Sequence, residues 1–146
     1  MKDLAELLNK LKNTRENTDE RLIKKAFDLA LKIHESHSRE SGDPYVTHVL
    51  GVAEIVVDLK LDSETVAAAL LHDSMEMSEL TQERLESEMG QGIARLVSGV
   101  TKLSFKIQPT DLEKQAVNFR KMLVAMADDI RILMLKLADR LHNMRT

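Results

Sequence analysis

Apolar positions recur three and four residues apart along most of the chain, the spacing that lines one face of an α-helix. Leu4, Leu7, Leu8 and Leu11 form the first stripe, behind Asp3 as a candidate N-cap. Asn13 to Asn17 is polar and interrupts it. A second helix is predicted from Thr18 to about Ser36, with Asp19 and Glu20 suited to its positive end. Its apolar face is Leu22, Ile23, Ala26, Phe27, Ala30 and Ile33. Ser41-Gly42-Asp43-Pro44 reads as a turn. Helices follow over about Val46 to Leu59, and from behind Asp62-Ser63 through Val66, Ala69, Leu70 and His72 to about Met75. Thr81 opens a short helix that Gly90 ends, and Gly92 to Leu103 reads as helix. Phe105 to Thr110 is a loop around Pro109, and two long helices close the chain, about Asp111 to Ala127 and Asp129 onward. The last one carries no stop signal before Thr146, so the chain is expected to be the first domain of a longer protein.

Composition narrows the class. A chain of 146 residues, 43% of them apolar, makes one domain with a real core. Five Gly and two Pro are too few punctuators for a sandwich or barrel, and helix formers dominate. An all-α bundle of about seven or eight helices is the expectation. The absence of Cys excludes a disulfide framework. No apolar run approaches the roughly 20 residues that span a bilayer, so no membrane partner is expected. The N-terminus MKDLAELLNKLKN has no apolar signal core, which points to the cytoplasm. Twenty-one basic residues against 24 acidic ones, with three Phe, one Tyr and no Trp, leave no footprint for nucleic acid. A small charged metabolite stays open as a ligand.

Charge inside a core helix is expensive, and three places in this chain carry it. Ala67 to Leu71 climbs through small and apolar residues and then sets His72 beside Asp73. Asp139 and Arg140 interrupt the apolar run from Leu133. His48 stands just inside a helix whose next turns are Val49, Val52, Ala53 and Val56. Singly, each has an ordinary reading: a satisfied core histidine, an ion pair, a chance adjacency. Together they are a mixed N/O set suited to a divalent transition metal. Adjacent helical residues point about 100° apart, so His72 and Asp73 share an ion only at a crossing of helices.

The order His48, His72-Asp73, Asp139 resembles the signature of HD-domain metal phosphohydrolases. The words RESGDPYVTH (39–48), LLHDSMEM (70–77), LVSGVTKL (96–103) and KLADRLHNMRT (136–146) are more specific. They resemble the N-terminal hydrolase domain of the RelA/SpoT family, bifunctional enzymes that make and degrade ppGpp and pppGpp. The resemblance implies a single HD-type domain over residues 1–146, followed in the natural chain by an adjacent synthetase domain. It implies one Mn²⁺ held by His48, His72, Asp73 and Asp139. Glu76 matches the first of two adjacent acids around the attacking water. Arg39, Tyr45, Lys102, Asn143 and Thr146 match positions assigned to guanosine tetra- and pentaphosphate. The implied reaction is hydrolysis of the 3′-pyrophosphate, releasing GDP or GTP. If the helix persists, Glu76 lies one turn beyond His72, as Asn143 lies one turn beyond Asp139.

Some positions depart from that pattern. Met77 stands where the family's second acid is expected, and a thioether takes no proton and binds a hard cation poorly. A catalytically impaired domain that binds metal or nucleotide and regulates the synthetase is therefore the alternative. Glu40 replaces a basic residue beside Arg39. His34 and His37, three apart on a predicted helix, read as a solvated surface pair. Met122, Met126, Met134 and Met144 read as core filler.

Overall fold

In the computed structural model of the chain, residues 4–14, 18–38, 42–102 and 130–145 are described. They form eight helices: α1 (Leu4–Thr14), α2 (Glu20–Ile33), α3 (Tyr45–Asp58), α4 (Ser63–Leu70), α5 (Ser74–Met77), α6 (Gln82–Met89), α7 (Gln91–Lys102) and α8 (Ile130–Arg145). Among the described residues there is no strand, only an isolated antiparallel bridge between Ser38 and Pro44. The all-α class is as expected. The predicted loop at 105–110, the helix at 111–127 and the Asp3 cap lie outside the described residues.

Two helices sit at the centre. Every residue of α4 but Glu64 is buried, and α3 is buried from His48 to Val57 apart from Glu54. Helices apolar on all sides belong in a core, enclosed by amphipathic neighbours. Here α3 packs on α4, α2 and α7 lie against α4, α1 covers α3, and α8 crosses both central helices. The outer helices present one face each, as with Leu7, Leu8 and Leu11 of α1 or Ile23, Ala26 and Ala30 of α2. Lys10 ties α1 to α3 through Glu54 at 3.1 Å and Asp58 at 2.6 Å.

Helix ends follow side-chain chemistry. Asp19 caps α2 by accepting the Leu22 N–H at 3.1 Å, so this helix starts at Glu20 rather than Thr18. Thr81 caps α6 through the Arg84 N–H at 3.2 Å, and Gly90 ends it at φ 96°, a conformation natural only to glycine. Met144 is a correction: at 81% exposure it fills no core, because the last turn of α8 turns it outward.

The largest departure is at the centre. The helix expected to run through His72 to Met75 stops at Leu70 and resumes at Ser74. Side chains cause the break by competing for backbone carbonyls. His72 Nδ1 bonds the Ala69 carbonyl at 2.6 Å, and the Ser74 hydroxyl donates to the Leu71 carbonyl at 2.7 Å. The backbone tightens to match, with Leu71 N–H on the Ala68 carbonyl at 3.1 Å and Ser74 N–H on that of Leu71 at 3.0 Å.

Candidate metal centre

The break gathers two polar side chains that an unbroken helix would splay apart. His72 Nε2 lies 3.0 Å from Asp73 Oδ2. Asp139 arrives from α8, with Oδ1 3.3 Å from His72 Nε2 and 3.0 Å from His48 Nε2. His48, in the first turn of α3, has its Nε2 3.7 Å from Asp73 Oδ2. His48, His72 and Asp139 are only 2%, 1% and 7% exposed. One ligating atom from each of His48, His72, Asp73 and Asp139 lies within 4.8 Å of all the others.

The donor chemistry of this group fits a divalent cation. A carbonyl oxygen only accepts, so the Ala69 bond keeps a proton on His72 Nδ1 and leaves Nε2, set among the carboxylates, as the nitrogen that exchanges its proton for a cation. Ligand bonds near 2.1 Å separate donor atoms by about 3.0–3.4 Å at right-angled or tetrahedral corners, and the gaps above bracket that range. Without a cation, protons must balance the two carboxylates. Burial alone lowers the His72 pKa, but bonds and charges from Asp139 and Asp73 outweigh it and raise the group to about 10. Burial lifts both carboxyls, yet the histidines pull Asp139 far below its usual range. His72 and the Tyr45 hydroxyl likewise bring Asp73 down.

Residues 26–146 match a protein family described as "HD domain". The chain belongs to the HD-domain family. Its homology is to RelA/SpoT-type proteins. It is 50% identical over 128 residues to a GTP pyrophosphokinase of Myxococcus xanthus, covering 86% of this chain and 17% of that protein. It is 47% identical over 145 residues to the bifunctional (p)ppGpp synthase/hydrolase SpoT of Escherichia coli K12, covering 98% of this chain and 20% of the relative. A solved structure of a metazoan ortholog of SpoT that hydrolyzes ppGpp superposes with a TM-score of 0.68 at 29% identity, over 88% of this chain and 71% of that one. This HD domain thus spans about a fifth of the length of the curated relatives it matches.

Around the four donors the HD domain sets a rim. The Tyr45 hydroxyl donates to Asp73 Oδ2 at 2.5 Å, and Asn143 Nδ2 lies 3.4 Å from Asp139 Oδ1. Glu76 is exposed on α5, off the helical continuation from His72 that the sequence suggested, because α4 ends first. It still feels the centre: partial burial, then the charge of Asp73, raises its pKa. Met77 is half-buried beside it. Arg39 and Thr146 lie outside the described residues, and of Lys102 only the backbone, at the end of α7, is described.

Two neighbours escaped the sequence reading. His142 Nδ1 is 2.8 Å from His48 Nδ1, and Lys136 Nζ is 3.7 Å from Asp139 Oδ2. Both stand three residues from Asp139, so helical spacing could have flagged them. The pair His34 and His37 is a further correction. His34 is the C-cap of α2 and is buried, with Nδ1 3.0 Å from His37 Nδ1 and its ring 4.8 Å from that of Tyr45. The chain turns after Ile33, and the Tyr45 N–H bonds the His37 carbonyl at 3.1 Å, folding this segment over the ring. Burial, then His37, pushes the His34 pKa down to about 4.

Proposed function

We propose that this HD domain is a Mn²⁺-dependent (p)ppGpp 3′-pyrophosphohydrolase and that it works as one domain of a longer chain with a synthetase beside it. The observation that carries the proposal is the buried set of two imidazole and two carboxylate donors, with His72 Nδ1 tied to a backbone carbonyl so that Nε2 is the nitrogen offered to a cation. The names of the relatives supply the substrate. His48, His72, Asp73 and Asp139 hold the ion. When bound, a divalent ion acidifies a nearby water and draws charge from the phosphoryl group.

The remaining work falls to the chain. Tyr45 fixes Asp73 by its hydroxyl. Glu76, with its raised pKa, takes the proton of the attacking water at its carboxylate. Water adds to phosphorus as the bond to the 3′ oxygen breaks, and the proton taken from water is returned to that oxygen, giving pyrophosphate and GDP or GTP. Asn143, whose amide lies beside Asp139, takes the nucleotide, and Arg39, Lys102 and Thr146 are assigned the same role by their match to the family's pattern.

Met77 favours a second reading, a domain that binds but turns over poorly and regulates its neighbour. Pyrophosphate release from ppGpp with added Mn²⁺ separates the two. The expected result is slow, Mn²⁺-dependent release that Met77→Asp accelerates on the order of 10²–10⁴-fold, the value of a positioned acid or base. A chain that binds Mn²⁺ and ppGpp yet releases no pyrophosphate, before and after Met77→Asp, is the regulator instead.

A further inference from the structure

The two candidate histidine ligands are backed in different ways. A backbone carbonyl holds His72. The ring of another residue holds His48: His142 Nδ1 lies 2.8 Å from His48 Nδ1, with the ring centroids 4.8 Å apart. Two Nδ1 atoms at that distance share one proton. When that proton sits on His48, its Nε2 is left to bond a cation held among the carboxylates in place of a proton of its own. His48 then has the same tautomer that Ala69 imposes on His72.

A second observation shows that the His142 ring is seated. A Cβ built on Gly51 would fall 2.2 Å from His142 Nε2, 2.4 Å from Cδ2 and 3.0 Å from Cε1. The far edge of the ring therefore rests on the bare backbone of α3, one turn beyond His48. This turns Nε2 toward Gly51 and leaves Nδ1 to face His48. Gly51 costs helix stability in the interior of α3, and the seat gives that cost a reason.

We infer that His142, seated on Gly51, is a positioning residue for the metal centre: it accepts the Nδ1–H of His48 and so holds Nε2 in the ligating state. The inference rests on the metal-site reading above. Partners of this kind set ring orientation and basicity, and losing one costs 10–100-fold in metal affinity.

Calorimetric titration of the chain with MnCl₂ tests it. Wild type should bind one Mn²⁺, and His142→Ala should bind 10–100-fold more weakly. Gly51→Ala should lose as much, because the new methyl displaces a ring edge that can swing outward from the last turns of α8. The double variant should be no worse than either single one, since both remove one hydrogen bond. His142→Asn, with an acceptor oxygen near the Nδ1 position, should recover most of the affinity. Melting of the metal-free variants within a few degrees of wild type separates this role from a structural one. In the Zn²⁺-loaded chain, ¹⁵N histidine spectra should show His48 protonated at Nδ1, and that signature should blur in His142→Ala. Wild type that binds while His142→Ala binds within twofold of it overturns the inference alone. Losses that multiply in the double variant do the same. Wild type that takes up no divalent ion brings down the metal-site reading and this inference together.

Discussion

The centre has two halves of different construction. The half from α4 and α5 is local: His72, Asp73 and the carbonyls of Ala69 and Leu71 lie within one turn of chain, and backbone geometry fixes them. The half from α3 and α8 is assembled at a distance, His48 meeting Asp139 and His142 across 91 and 94 residues of sequence. Its parts are held by side chains on packed helices. The local half should therefore survive loosening of the bundle, whereas the distant half exists only when α3 and α8 are docked.

The largest test cuts the link between them. Asp139 Oδ1 reaches both His48 and His72, so Asp139→Ala leaves two buried histidines sharing Asp73 alone. Removing one partner of a buried ionic group costs about 3–5 kcal/mol, and chemical denaturation of the metal-free chain should show that loss. Calorimetry should at the same time find no Mn²⁺ uptake. Near-wild-type stability would mean that the two halves stand independently.

A pH series separates the protonated from the metal-ready state. His72 has its pKa raised from 6.5 to about 10 by the carboxylates. Such a group stabilises the metal-free fold fully below pH 6.5, and that stability is lost as pH rises toward 10. The metal-free Tm should fall over that window by roughly 2–4 °C for each kcal/mol lost. Mn²⁺ competes with the proton on Nε2, so the gap in Tm between loaded and metal-free chains should widen with pH. A flat metal-free profile would remove His72 from the ionic group.

The smallest effect probes the local half by itself. Ser74→Ala strips the hydroxyl from the Leu71 carbonyl inside the turn. A loss of about 1–2 kcal/mol is expected in denaturant unfolding. Because the turn keeps its His72 bond, Mn²⁺ affinity should change less than threefold. A larger drop in affinity would show that the break is held by Ser74 as much as by His72.

These halves also differ in what the sequence discloses. The polar residues His48, His72, Asp73 and Asp139 stood out because charge among apolar neighbours is costly, and the structure gathers all four. The helix break between them was hidden. Residues 67–71 are good helix formers, and α4 stops only where the His72 and Ser74 side chains capture carbonyls three residues back, a local competition that the apolar run masks. Helix α6 was legible at both ends because Thr81 and Gly90 act locally. His34 was misread for the opposite reason, since the ring that packs against it, that of Tyr45, comes from beyond the turn. The role of Gly51 was invisible, as nothing near it in sequence needs the space that His142 fills.

Tyr45 is the sole tyrosine, and the chain has no tryptophan. Its ring lies 5.3 Å from that of His48 while its hydroxyl is bonded to Asp73. Excited beyond the phenylalanine band, the protein's ultraviolet emission therefore originates beside the candidate metal centre, from a phenol whose proton is drawn toward a carboxylate. Any cation that withdraws Asp73 from that bond changes the fluorophore's immediate partner. Loading of the site can thus be followed optically in the unlabelled chain, without a dye and without substrate.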